Sequence, residues 1–179
     1  MATPDFVLTL REKIGTDPLW LSGVTAVVLR EAAPAPADAA AVADAGRRDA
    51  ASGTEVLLVR RADNGAWTPV TGIIDPGEEP ADAAAREVLE EADIVAAVER
   101  LAWVQTLPER AYANGDRAAY LDLVFRCRWV SGEPHPADGE NTAAGWFALD
   151  ALPPMSENML ERVRAALSPA GETRFQRGA

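Results

Sequence analysis

Residues 72–94 read Gly72-Ile-Ile-Asp-Pro-Gly-Glu78-Glu-Pro80-Ala-Asp-Ala-Ala-Ala-Arg86-Glu87-Val-Leu-Glu90-Glu91-Ala-Asp93-Ile94. A glycine-containing loop runs into a segment with every mark of a helix. Pro80 suits the first helical turn, where its missing N–H costs nothing. The alanine-rich run over 81–85 then propagates the helix strongly. Asp82 lies near the positive end of the helix dipole, where a carboxylate is favoured. The other acids are placed against that rule. Glu87, Glu90 and Glu91 fall at i, i+3 and i+4, so they share one face close to the negative end. A helix built for stability alone would carry arginine there. Three carboxylates crowded on one face call for a hard divalent cation with oxygen ligands.

The spacing in this stretch resembles the Nudix box. Gly72 is followed after five residues by Glu78, and after seven more by Arg86-Glu87; then come apolar Val88, Glu90-Glu91 and apolar Ile94. The family has glycine where this chain has Asp93, and every other defined position is met. That position closes the helix with a left-handed residue, a conformation Asp tolerates next best after Gly and Asn. The resemblance implies magnesium or manganese held by Glu87, Glu90, Glu91 and the Gly72 carbonyl. It implies that Arg86 pairs with Glu78 and fixes the loop against the helix. It also implies a fold, an α+β chain forming a Nudix-type α/β/α sandwich around a mixed sheet.

The flanks are read from their own patterns. Thr3-Pro4 predicts a helix start, with Phe6, Leu10 and Ile14 as its apolar stripe. Residues 1–18 are then a helix and lead-in, and 19–167 the main domain. Strands are expected over 24–29 and 56–59, hairpin-paired across residues 31–53. That insertion is rich in Ala, Pro, Asp and Gly and is expected to be an exposed flexible loop, or else to hold a short helix near 37–45. A short extended stretch over 67–74 leads into the box. Longer strands are expected over 101–107 and 120–130, with Asn114-Gly115-Asp116 turning between them. In the second, Leu121, Leu123, Phe125, Cys127 and Trp129 alternate onto one face. A last strand is expected over 146–149, and a helix from Ser156, as N-cap, to Leu167. Residues 168–179 are expected to be a disordered tail.

Composition narrows the function. At 179 residues with 48% hydrophobic and 25% charged residues, the chain is long enough for one domain with a sizeable core. The net charge of −11 repels a nucleic-acid backbone, so duplex binding is not expected. No apolar run is long enough to span a bilayer, and no basic-then-apolar leader opens the sequence. Cys127 is the single cysteine, so no internal disulfide can form. Together these predict a cytoplasmic protein.

The reaction implied by the resemblance is hydrolysis of a pyrophosphate bond in a nucleoside diphosphate derivative, ADP-ribose being one example. Its alternatives are a nucleoside triphosphate pyrophosphohydrolase and a non-catalytic nucleotide-binding module. Isoprenoid diphosphate isomerisation would need a cysteine in a pocket, and Cys127 falls in mid-strand. Two acids are candidate general bases: Glu87 in the box, and Glu140 in the loop before Trp146-Phe147. Glu133 and Glu109 are weaker versions of the same idea. Arg60 and Arg61 follow the second strand and are candidate phosphate contacts. Trp67, Trp103 and Tyr112 could stack a base or simply fill the core, and His135 lies in a proline-flanked loop. A homodimer is expected, with the N-terminal helix either as the contact between subunits or packed on its own sheet.

Overall fold

The computed structural model describes residues 3–32, 53–169 and 171–175. Among the described residues, three helices and eight strands follow in the order α1 (Asp5–Ile14), β1 (Leu19–Glu31), β2 (Thr54–Arg61), β3 (Trp67–Thr68), β4 (Val70–Ile73), α2 (Pro80–Ala92), β5 (Val95–Ala111), β6 (Arg117–Ser131), β7 (Asn141–Ala148), α3 (Glu157–Leu167) and β8 (Arg174–Phe175). The strands form one mixed sheet in the order β3-β2-β1-β6-β5-β8; β4 adds to β1, and β7 to β2. β1 runs parallel to β6 and antiparallel to β2 and β4. The fold is α+β, as expected. Most of the 31–53 insertion lies outside the described residues.

Alternation along β1 and β2 explains the three layers. Val24, Ala26 and Val28, with Leu57 and Val59, face Ala83, Ala84, Val88 and Ala92 of α2. Val27 and Leu29, with Val56 and Leu58, face Val163, Ala165 and Ala166 of α3. Successive side chains of a strand point to opposite faces, so a strand covered on both sides must be apolar throughout. That is why residues 26–29 form an unbroken apolar run. Burying one such valine contributes about 1.5–3 kcal/mol.

The central strands are longer than their apolar cores suggested. β5 and β6 pair along nearly their whole length as a hairpin, with register shifts near Val98, Leu101 and Leu107. Each shift breaks the period-two pattern. The polar stretches Glu99-Arg100 and Glu109-Arg110 are strand for that reason, though their sequence does not read as strand. β7 begins at Asn141, well before the Trp146 expected to open it, because β2 supplies a full partner edge. The 67–74 stretch divides between two partners: β3 pairs with β2, and β4 with β1.

The terminal segments depart further from expectation. Pro4, not Thr3, stands at the N-cap of α1, and no side-chain bond caps it. Val7 is the buried residue of that helix, set against Leu21, Ile73 and Ala118 with Phe6 alongside, whereas Leu10 is 38% exposed. α1 therefore packs on its own sheet. The tail expected to be disordered is docked as far as residue 175. Thr173 Oγ1 donates to the Leu101 carbonyl at 2.9 Å. Arg174 lies 4.2 Å over the Trp103 ring and reaches Glu161 at 2.6 Å. Anchors of this kind fall below what composition reveals. Residues 176–179 lie outside the described residues. Among the described residues, no helix is long and apolar enough to cross a membrane.

Ser156 caps α3 as expected, its Oγ accepting from Met159 N at 3.4 Å. Asp93 closes α2 in the left-handed region, at φ 53° and ψ 36°, with its N–H on the Leu89 carbonyl. Because this cap needs positive φ, Asp93→Gly is expected to change stability by no more than about 1 kcal/mol and to leave turnover intact. Denaturant unfolding beside a kinetic assay measures both; a larger loss in either would mean that the Asp93 carboxylate has a role of its own.

Candidate active site

The box loop is tied to α2 by one guanidinium. Arg86 Nε and Nη2 donate to the two Glu78 oxygens at 2.8 and 2.9 Å. Its Nη1 donates to Glu87 Oε1 at 3.0 Å and to Glu90 Oε2 at 2.9 Å, and its Nη2 also reaches the Ile73 carbonyl at 3.2 Å. The planar fork suits a carboxylate pair better than a lysine could. The contact implied between Arg86 and Glu78 is present. Glu78 is held below the usual carboxylate range, first by that bond.

The three box glutamates have unequal surroundings. Glu87 and Glu91 are buried, at 7% and 3% exposure. Burial is the first cause that pushes each up to about 7; Arg86 opposes it at Glu87, and Asn141 at Glu91. Glu90 is the open one, its side chain 53% exposed and turned to Arg86. Among the described residues, no three acids are gathered into a ready cage. Arg86 Nη1 draws Glu87 and Glu90 to itself. Gly72 shows how tightly Glu87 is placed: a Cβ there would stand 2.0 Å from the Glu87 Cδ. Only glycine lets that carboxylate lie against the β4 backbone.

A cavity of about 640 Å³ opens beside Gly72. Its lining includes Arg11, Arg61, Arg110, Tyr112, Asp122 and Arg162. Arg61 forks onto Asp63 at 2.9 and 2.8 Å. Its pKa is raised first by that bond, and the Glu91 charge adds to the effect. Of the two predicted arginines, then, Arg61 belongs to this region. Arg60 does not line the cavity; its Nε donates to the Gly65 carbonyl at 3.2 Å. Successive side chains of a strand point to opposite faces, which separates their directions. Trp67 and Tyr112 line the cavity, whereas Trp103 is core. His135 is exposed and 3.6 Å from Asp93.

Glu140 sits at the head of β7, with its N–H on Asp138 Oδ1 and its carbonyl accepting from Ala62. The loop carrying it closes over the end of α2: His135 N donates to the Ala92 carbonyl, and Ala137 N to the Glu91 carbonyl. The next residue was not found from sequence. Asn141 is 6% exposed, and its Nδ2 donates to Glu91 Oε2 at 3.0 Å. A lone asparagine between an acid and a threonine carries no pattern that would single it out. The Asp122–Arg162 pair, 3.5 Å apart, was also missed.

Asn141→Ala removes the side-chain donor to the buried Glu91 carboxylate. It is expected to weaken divalent-cation affinity by about 10- to 100-fold, the usual cost of losing an outer-shell partner. Calorimetry with manganese reads this directly; unchanged affinity would assign Asn141 to the fold alone.

The comparisons with known proteins agree with this geometry. A family model described as NUDIX domain matches residues 35–167. The chain belongs to the NUDIX family. Its members are pyrophosphohydrolases that use divalent cations, so this NUDIX chain is a hydrolase acting on acid anhydrides. A MutT-like protein of Streptomyces ambofaciens is 38% identical over 120 residues, covering 65% of this chain and 70% of that protein. The NAD-capped RNA hydrolase NudC of Pseudomonas aeruginosa is 35% identical over 105 residues. That match covers 58% of this chain and only 35% of the longer relative. Among solved structures, an ADP-ribose pyrophosphatase from Streptococcus suis is 25% identical with a TM-score of 0.57, covering 87% of this chain and 98% of that one. A UDP-X diphosphatase shares the fold at 18% identity and a TM-score of 0.59, covering 98% of this chain and 75% of that one.

The residues present fit a divalent cation. Glu87 and Glu91 supply hard oxygen donors whose burial leaves their charge undercompensated. The backbone of Gly72 lies directly against Glu87.

Proposed function

We propose that this chain hydrolyses the pyrophosphate bond of a nucleoside diphosphate linked to a second group, with magnesium or manganese as its cation. Glu87, Glu90, Glu91 and the Gly72 carbonyl would hold that cation. Bound there, it would polarise phosphoryl oxygens and offset charge on the leaving phosphate. Arg61 lines the cavity and would meet phosphate oxygens. Arg86 and Glu78 hold the loop that presents Gly72. Glu87 and Glu140 are the two candidates for activating water.

The observation that carries this reading is the pair of buried carboxylates, Glu87 and Glu91, set beside a glycine that opens onto a cavity of about 640 Å³. That volume lies within the range of small-molecule sites. The ADP-ribose pyrophosphatase, UDP-X diphosphatase and NAD-capped RNA hydrolase among the similar proteins are named for substrates of this linked kind. The MutT-like relative keeps nucleoside triphosphates as the second reading. A non-catalytic module is disfavoured by the retained glutamates. The isomerase reading is disfavoured because Cys127 is buried, its thiol pushed up to about 12 by burial and by Glu99.

The test is a screen of nucleotide sugars, dinucleotides and nucleoside triphosphates with magnesium or manganese, reading released nucleotide and phosphate. Turnover of linked diphosphates well above triphosphates is expected. Triphosphate turnover alone, or none at all, would overturn the reading. We place the protein in the cytoplasm, where a lone thiol stays reduced. We also propose a homodimer, for which Leu8 at 49% and Trp20 at 59% exposure offer apolar surface near α1. A monomeric mass by light scattering at micromolar concentration would refute it.

A further inference from the structure

The cavity departs from the charge of the chain. The whole sequence carries a net charge of −11. Yet among the described residues four arginines line the cavity, Arg11, Arg61, Arg110 and Arg162, against two acids, Asp116 and Asp122. A recess of one sign in a protein of the other concentrates ligands of opposite charge. An anionic ligand is therefore drawn in, and the existing partners of each guanidinium decide which of them meets it.

Three of the four are engaged already. Arg11 Nη1 donates to the carbonyls of Gly15 and Asp17 at 3.0 and 2.6 Å, and its Nη2 to the Arg117 carbonyl at 2.7 Å. Arg162 Nη1 donates to Thr25 Oγ1 at 2.7 Å and its Nε to Asn158 Oδ1 at 3.1 Å, with Asp122 3.5 Å away. Arg61 Nε and Nη2 grip Asp63. Arg110 differs. Among the described residues its side chain makes no hydrogen bond and no ion pair, and its guanidinium lies 5.4 Å from the centre of the Tyr112 ring. Stacking on a ring face leaves the N–H edge of the guanidinium open.

The backbone that carries Arg110 is held in place. It stands near the end of β5, opposite Ala118 of β6. The turn beyond it is closed by Tyr112 N on the Asp116 carbonyl and Gly115 N on the Tyr112 carbonyl, both at 2.9 Å. The Tyr112 and Tyr120 hydroxyls bond each other at 2.7 Å, which fixes the ring beside the guanidinium. Electrostatics link this end of the cavity to the box. Asp63 is held below the usual carboxylate range, first by its bond to Arg61, with the charge of Arg110 adding to it. Arg61 is raised first by that same bond, with the charge of Glu91 adding. Such fields fade over a short distance in salt water. Arg110, Asp63, Arg61 and Glu91 thus form one series from the β5–β6 hairpin to the box helix.

Building on the proposed diphosphate substrate, we infer that Arg110 is a substrate contact of this chain, its guanidinium pairing with phosphate oxygens of the bound nucleoside diphosphate. Two oxygens of one phosphate match the spacing of the fork, as those of a carboxylate do. Arg61 and Arg110 then hold the diphosphate from two elements, β2 and β5.

Calorimetry in magnesium with ADP, GDP and UDP, beside adenosine, guanosine and uridine, reads phosphate recognition apart from hydrolysis of a linked substrate. Arg110→Met keeps the stem and removes the charge. For whichever diphosphate the wild-type chain takes, it is expected to weaken binding by about 10- to 100-fold, the range of a hydrogen bond to a charged group, and to leave the matching nucleoside unaffected. KM for the linked diphosphate rises by the same factor, with kcat little changed. Arg110→Lys keeps a point charge without the fork and is expected to recover part of the loss. Arg110 is exposed, so both variants are expected to melt with the wild type. Unchanged diphosphate affinity in Arg110→Met, an equal loss for diphosphate and nucleoside, a loss that comes with a lowered melting temperature, or a wild-type chain that binds none of the three diphosphates would each overturn the inference. Arg110-dependent diphosphate binding without hydrolysis of any linked diphosphate would uphold it while defeating the proposed activity. Hydrolysis with an unaltered KM in Arg110→Met would do the reverse.

Discussion

Glu91→Gln is expected to lower turnover by about two orders of magnitude or more while the fold holds or gains stability. Glu91 is 3% exposed, and its carboxylate is disfavoured by burial and by the charge of Glu87. Glutamine keeps the shape, and its carbonyl can still accept from Asn141 Nδ2, now 3.0 Å from Glu91 Oε2. The substitution therefore removes a buried charge without opening a cavity, and the melting temperature is expected to stay level or rise. Loss of a hard oxygen donor from a catalytic cation removes several kcal/mol of transition-state stabilisation, hence the size of the rate effect. The pair of results, a stable protein and a slow one, separates a functional carboxylate from a structural one. Near-normal cation-dependent turnover in Glu91→Gln would remove it from the site.

Gly72→Ala is expected to be nearly as damaging, for a different reason. The added Cβ would stand 2.0 Å from Glu87 Cδ and 2.1 Å from its Oε1. The β4 backbone cannot retreat, because Gly72 pairs with Val24 inside the sheet. The Glu87 carboxylate is the end of a flexible side chain, so it yields and the strand stays. The fold then loses about 1 kcal/mol, at the low end for overpacking. Turnover falls about 10²-fold, the scale of a reacting group displaced by about an ångström. Combining Gly72→Ala with Glu87→Ala removes the clash and is expected to restore stability without restoring rate. Chemical unfolding and single-turnover kinetics on the three variants measure this. Wild-type turnover in Gly72→Ala would show that the contact between Gly72 and Glu87 has no catalytic consequence.

Much of this chain is legible locally. The box helix follows from Pro80, the alanine run and a left-handed residue at position 93, all determined within a few residues of chain. The α3 cap at Ser156 and the apolar strands of β1 and β2 are of the same kind. The misplaced acids announce a site because a same-face cluster at the negative end of a helix conflicts with local stability, and local rules expose the conflict.

What the sequence alone could not supply depends on partners distant in the chain. Asn141 meets Glu91 across 50 positions, and Arg162 meets Thr25 across 137. No periodicity encodes such pairs; they exist because β2 gives β7 an edge and α3 lies across β1. The same holds for Arg60 and Arg61, adjacent in sequence, of which Arg61 lines the cavity and Arg60 does not. It holds again for the unequal burial of Glu87, Glu90 and Glu91, which share a helical face yet not an environment. The sequence by itself determined the helix, the acids and the family to which they belong. Tertiary structure decided which carboxylates are buried and which arginine meets the cavity, because burial and long-range hydrogen bonds arise only when the three layers close.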